Sequence, residues 1–220
     1  YRRRMFSSSA AVYWMYNDSW PTVHSWTTID YYLRKKLSYH PVRRSFAPVS
    51  VVVAEENDSV FVFGVNDSPL DCSGQLRYGS FQFDGDYIEN ESKSVDLPAN
   101  ASTRVAVIDK SKWRRAGYEQ AAAFARLETK DQRVAQHRLL KETFGKLELT
   151  SPKINVRRDG KEIVFLSDQF VWGVAIDLNG ESDAPDNCFD LFPGIEYRMD
   201  WPPEKKLPEL LKTGNDIVLH

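Results

Sequence analysis

The chain has 220 residues, 42% hydrophobic and 27% charged, enough to bury one or two cores, since domains run to roughly 100 to 150 residues. A formal net charge of -2 and a pI near 6.1 provide no global basic field, which argues against nucleic acid as a partner. The longest apolar stretches, Ala10 to Tyr16 and Val49 to Ala54, fall far below the ~20 residues that span a bilayer, which argues against a membrane anchor.

In chain order, Arg2 to Arg4 precede an apolar run in the manner of a signal peptide. The run breaks at Asn17 and Asp18 without a long apolar core or a small-residue cleavage site. The first forty-odd residues stand apart from the rest, because Tyr13, Trp14, Tyr16, Trp20, Trp26, Tyr31 and Tyr32 put three of the six tryptophans into one short stretch. Ala10 to Tyr16 reads as a buried strand stopped by Asn17-Asp18-Ser19, with a loop from Pro21 to Asp30. Leu33 to Phe46 has helical features. Pro41 lacks a backbone donor, so the helix is expected to start near His40 or to kink, and to end before Pro48.

From there the pattern becomes short alternating runs: Val49 to Ala54, Val60 to Val65, Gln75 to Phe83, Tyr87 to Val95 and Thr103 to Ile108. Their spacing of about 8 to 14 residues predicts a β-sandwich. Lys112 to Phe144 is two-faced. Propensity alone makes Glu119 to Glu128 helix, whereas Lys130-Asp131-Gln132 can turn a hairpin between Ala121 to Glu128 and Arg133 to Leu140 and complete seven strands; the hairpin is the reading adopted. After Ser151-Pro152 a second series follows: Lys153 to Arg157, Glu162 to Leu166, Val171 to Leu178, Ile195 to Trp201 and Ile217 to Leu219, with Asp159-Gly160 as a hairpin turn.

Little in the sequence asks for a cofactor or a metal. His24, His40, His137 and His220 are scattered, Cys72 and Cys188 stand far apart in the sequence, and there is no phosphate loop or nucleophile elbow. Asn17, Asn57, Asn66, Asn90 and Asn100 each sit two before a serine, the acceptor pattern for N-glycans, although Asn and Ser also favour turns, and turns are the reading preferred. What remains is Tyr13-Trp-Met-Tyr-Asn-Asp-Ser-Trp-Pro21. Indole rings stack on the apolar faces of sugars while short polar side chains beside them hydrogen-bond hydroxyls. If the strand belonged to a (β/α)8 barrel, its end would lie at the active face. Composition alone favours reading these aromatics as core or domain-interface residues over sugar-stacking ones.

Val12 to Pro21, then Ser25-Trp-Thr-Thr-Ile-Asp-Tyr-Tyr32, then Arg43-Arg-Ser-Phe-Ala-Pro-Val49, together resemble the end of the catalytic barrel in β-mannosidases of the β-galactosidase-like glycoside hydrolase superfamily. Glu56 to Asp67 resembles the opening hairpin of that family's following immunoglobulin-like domain, and Asp186-Asn-Cys-Phe-Asp-Leu-Phe-Pro-Gly194 a motif of its last sandwich. The resemblance implies a mainly β chain in three parts. Residues 1–46 would be the last strand and helix of the barrel, 47–148 an immunoglobulin-like β-sandwich, and 149–220 a C-terminal β-sandwich. Pro41 departs from the helix former expected in the last barrel helix.

The implied parent is a retaining exo-β-mannosidase acting on β-mannoside oligosaccharides, its two catalytic glutamates on earlier barrel strands. No position here matches either glutamate, and a chain without an initiator Met fits a fragment. Trp14 would then be the platform under the sugar, with Asn17, Asp18 and Trp20 around it and Asp30 structural. The stretch would close and brace the barrel, be inactive alone, and have the remainder of its own polypeptide as partner. The alternative is a non-catalytic carbohydrate-binding or immunoglobulin-like interaction module. An orphan barrel strand leaves unpaired edges, so residues 1–46 are expected to fold against a sandwich, to be poorly ordered, or to pair with another chain.

Overall fold

A computed structural model describes residues 1–8, 10–22, 24–131 and 134–218, the last as backbone only. In chain order the elements are α1 (Tyr39–Ser45), β1 (Val49–Glu56), β2 (Ser59–Asn66), β3 (Cys72–Gln82), β4 (Tyr87–Leu97), β5 (Ala101–Ile108), α2 (Lys110–Ala116), β6 (Ala121–Thr129) and β7 (Val134–Leu139). There follow β8 (Asn155–Asp159), β9 (Glu162–Leu166), β10 (Val171–Val174), β11 (Phe189–Leu191), β12 (Tyr197–Asp200) and α3 (Gly214–Val218). The chain divides into two compact units, Tyr1–Ala11 with Ala47–Glu148, and Val12–Phe46 with Leu149–His220.

The first unit is an immunoglobulin-like sandwich, with β1-β2-β5 in one sheet and β4-β3-β6-β7 in the other. Val49, Val51 and Val53 are buried while the residues between them are not, the period of two that puts one face of a strand in the core. Asn57 and Asp58 form the two-residue loop between Glu56 and Ser59, with φ of 48° and 63°. Positive φ at both positions is what a tight hairpin requires, and Asn and Asp tolerate it. Gly79, at φ 148°, allows β3 to approach β4; a Cβ there would stand 1.9 Å from the Glu89 carbonyl oxygen.

The Ala121 to Glu128 stretch is strand, as the hairpin reading expects, paired to β7 from Ala123↔Leu139 to Glu128↔Val134. Ala121 to Ala125 are fully buried, so tertiary packing overrides helix propensity. Gln132 of the expected turn and Arg133 of the expected strand lie outside the described residues.

A short helix unexpected from the sequence, α2, precedes this hairpin. The Asp109 carboxylate caps it, accepting from Ser111 N at 2.9 Å and Lys112 N at 3.3 Å, and Gly117 at φ 89° ends it. Trp113 is the buried anchor of α2, edge-on to Tyr118 at 4.9 Å. Arg2 and Arg3 tie the start of the chain onto the same unit. Arg2 pairs with Asp67 and donates to the Pro48 carbonyl, Arg3 pairs with Glu56 and lies over the Phe63 ring, and Ser102 donates to the Arg3 carbonyl.

The second unit carries β12-β9-β8 and β10-β11, both antiparallel. They share a core of Ile163, Phe165, Val171, Val174, Phe189, Leu191, Met199 and Trp201. Gly160, at φ 60°, opens the β8–β9 loop.

Three expectations are corrected. Ala10 to Tyr16 is not a strand, because the backbone bonds that Met15 and Tyr16 make to Trp26, Thr28 and Ile29 lie at its end and build no ladder along it. Ile217 is helical in α3. There the Asp216 carboxylate accepts from Thr213 N and Oγ1 while Asp216 N donates back to that hydroxyl, a reciprocal cap that starts a helix; Leu219 lies outside the described residues. The strand expected from Val171 ends at Val174. Past it, Ala175 only bridges to Lys212, and Asp177 folds the next residues into a loop by accepting from the backbone of Asn179, Gly180 and Ser182.

Candidate functional site

The aromatic segment is folded although its described residues form no regular element before α1. Tyr16 O accepts from Thr28 N at 3.1 Å and Ile29 N at 3.0 Å, Asp18 N donates to Ile29 O at 3.0 Å, and Lys36 N donates to Thr28 O at 2.9 Å. These bonds draw residues 15–18 alongside 26–29 and bury Thr27 and Thr28. Tyr13 OH donates to the Trp26 carbonyl at 3.2 Å. The Trp14–Met15 peptide bond is cis.

Trp14 is 73% exposed, Trp20 66% and Trp26 72%. These values rule out the reading of the three indoles as core of this unit. Among the described residues neither Trp14 nor Trp20 is in ring contact with another aromatic; Trp26 meets only the edge of His24 at 6.3 Å. Tyr16, Tyr31 and Tyr32 are also exposed. Flat, rigid, amphipathic rings in this state suit stacking against a sugar face or burial in a polypeptide interface.

Asp18 is the contrast, 7% exposed. Lys36 Nζ donates to it at 2.9 Å and also to Ser25 and Thr27 hydroxyls, each at 2.6 Å. Burial pushes the Asp18 carboxyl up, and the hydrogen bonds from Lys36, Ser25 and Thr27 outweigh it, so it titrates below the usual carboxylate range. Asp18 therefore stays ionised and braces the loop. The exposed Asn17 donates to the Asp18 carbonyl at 3.3 Å. Asp30 holds the next turn, accepting from Arg34 N at 2.8 Å and Arg34 Nε at 2.7 Å.

The sequence motif Asp186 to Gly194 anchors this segment. Asp186 is buried, takes the Arg44 guanidinium in an ion pair, and accepts from Tyr197 OH at 2.6 Å and Asn187 N at 2.8 Å. His40 Nδ1 lies 3.5 Å away, beyond a good hydrogen bond. Arg44 donates further to the carbonyls of Asn187 and Cys188, and Arg43 to that of Pro185. Burial alone would raise the Asp186 carboxyl; the Arg44 guanidinium, Tyr197 and the Asn187 amide hold it below its ordinary range. Helix α1 is thus pinned from its inner face, with Tyr197 stacked on Phe189 at 4.1 Å. Resemblance had singled out the motif; its role as a clamp on α1 was hidden, because the partners are about 140 residues apart.

No group of three or more His, Cys, Asp or Glu side chains among the described residues could hold a metal ion, and no helix among them is long and apolar enough to cross a membrane.

Residues 58–143 match the family model of the mannosidase Ig/CBM-like domain. A 41-residue stretch is 56% identical to β-mannosidase B of Thermothelomyces thermophilus, covering 19% of this chain and 5% of that protein. A 61-residue stretch is 39% identical to the β-mannosidase of Capra hircus, covering 28% and 7%. The crystal structure of β-D-mannosidase from Dictyoglomus thermophilum matches 96% of this chain and 27% of its own with a TM-score of 0.80 at 26% identity. The exo-chitosanase of Amycolatopsis orientalis shares the fold, with a TM-score of 0.60 at 16% identity over 89% of this chain. The chain spans only a small part of the length of each of these relatives.

Proposed function

We propose, from the place of this chain among the β-mannosidase-like glycoside hydrolases, that it is the C-terminal portion of a retaining exo-β-mannosidase that removes terminal mannose from β-mannoside oligosaccharides. The observation that carries this is the match of 96% of the chain to the Dictyoglomus β-D-mannosidase. In the proposed parent, residues 1–46 end the catalytic barrel, 47–148 and 149–220 brace it, and the remainder of the same polypeptide is the partner.

Retaining hydrolysis needs two carboxyl groups about 5 to 5.5 Å apart, one acid/base and one nucleophile. In the segment proposed to face the sugar, Asp18 is committed to Lys36 and Asp30 to Arg34, which supports placing both catalytic glutamates elsewhere in the parent and reading this chain alone as inactive. Trp14 is proposed as the sugar platform, with Asn17 and Trp20 beside it. Asp18 acts one step back, holding the loop that presents them. The test is to express the full reading frame and follow an aryl β-mannoside by NMR. The expected first product is β-mannose; α-mannose as first product, or no turnover of mannosides, overturns the reading.

A second reading is a free-standing carbohydrate-binding module, favoured by the Ig/CBM-like description of the matched domain. Calorimetry of this chain with mannose oligosaccharides separates the two, since micromolar affinity supports the module. Trp172 is a poor platform for such a module because its ring packs on Gly214, where a Cβ would stand 2.2 Å from it; loss of binding on Trp26→Ala would be the sharper sign.

A further inference from the structure

Nine asparagines occur in the chain, and the five in residues 1–100 all have serine two positions on, while none of the four beyond does. With 19 serines and 8 threonines in 220 residues, chance would give about one such triplet. The fold sorts the five. Asn66 is fully buried and saturated, donating to the carbonyls of Leu70 and Leu97 and accepting from Ser68 N and Oγ. Asn17 is exposed too, but its Nδ2 donates to the Asp18 carbonyl at 3.3 Å in the loop described above. Asn57, at the tip of the β1–β2 hairpin, Asn100, at φ 50° before β5, and Asn90, on β4, are exposed.

Asn90 has a further distinction. Strand β4 is an edge of its sheet, 11 residues long, with residues 90–94 exposed. Long exposed edges invite pairing with other chains unless something covers them.

We propose that Asn57, Asn90 and Asn100 are N-glycan acceptor sites, and that the glycan on Asn90 shields the β4 edge. The co-reactant is an oligosaccharide carried on a lipid pyrophosphate. The side-chain Nδ2 forms a bond to C1 of the first sugar, the C1–O bond to the pyrophosphate breaks, and the lipid pyrophosphate leaves while Nδ2 gives up one proton. No electrons are exchanged. Asn66 is excluded because its buried amide has neither a free N–H nor room for a sugar.

The test places the full chain behind a secretory leader in a eukaryotic host. Chain from the secretory compartments, retained or exported, is treated with the amidase that releases N-glycans and leaves aspartate. Peptide mapping should find aspartate at positions 57, 90 and 100 and asparagine at 66, and Ser59→Ala, Ser92→Ala and Ser102→Ala should each remove one step of gel mobility. Unmodified asparagine at 57, 90 and 100 would overturn the proposal, as would occupancy of Asn66 in folded chain. For the shielding role, Asn90→Gln should raise self-association of the secreted chain, whereas Asn57→Gln should not; equal behaviour would overturn that part. None of these outcomes depends on mannosidase activity.

Discussion

The sandwich of residues 47–148 and the aromatic segment of residues 12–46 are both rich in large apolar side chains, yet they use them in opposite ways. In the sandwich Leu76, Phe81, Trp113, Phe124 and Leu127 are all but fully buried, and burial is what holds the two sheets together. In the aromatic segment the indoles face outward, and backbone hydrogen bonds, the Lys36 hub and the Arg44–Asp186 clamp maintain the fold. Clustered exposed rings, unlike single exposed apolar residues, are the kind of surface that a ligand or another polypeptide covers.

The largest effect should come from the sandwich. Phe124→Ala, which removes a ring packed on Phe81 at 5.4 Å and Tyr87 at 5.6 Å, should cost about 3 to 5 kcal/mol in urea unfolding; a loss below about 1 kcal/mol would break the contrast. Next is the clamp. Asp186→Asn leaves Arg44 without its counter-ion and should cost about 2 to 3 kcal/mol in the second unit, less than a fully buried pair because Arg44 is partly exposed.

The same carboxyl sets an acid limit. Its pKa is depressed on folding, so its contribution is present above the ordinary carboxylate pKa of about 4 and is lost as pH falls through the lower folded value. Thermal unfolding of the wild type should therefore steepen with acid below pH ~4, and Asp186→Asn should flatten that slope.

Lys36→Met removes three hydrogen bonds at once and should open residues 13–36 to protease while leaving the sandwich resistant. The smallest effect on stability is the most telling. Trp14→Ala should change the stability of this chain by less than about 0.5 kcal/mol, yet lower kcat/KM of the proposed parent by up to about tenfold, from roughly 1.5 kcal/mol of stacking.

Most of the sandwich was legible in the sequence, because strand period and turn chemistry are local. Asn57-Asp58 marks its hairpin and Val49, Val51 and Val53 mark their face. Helix α2 is unexpected from the sequence although Asp109 as cap and Gly117 as stop are local signals for it, because seven residues are too few to show a helical period. Strand β11 escaped notice because its three residues are too few to show a period. The site was legible in part. Aromatic crowding and motif resemblance singled out Trp14, Asn17, Asp18 and Trp20, whereas the commitment of Asp18 to Lys36, 18 residues on, is a tertiary fact with no local signal.

The most direct test of the central claim is to assay the 220-residue chain and the full-length product of its gene side by side on an aryl β-mannoside. The account predicts turnover by the full-length protein and none by the chain alone. Hydrolysis by the isolated chain at enzymatic rates would contradict it, because both catalytic carboxylates would then have to lie within these residues.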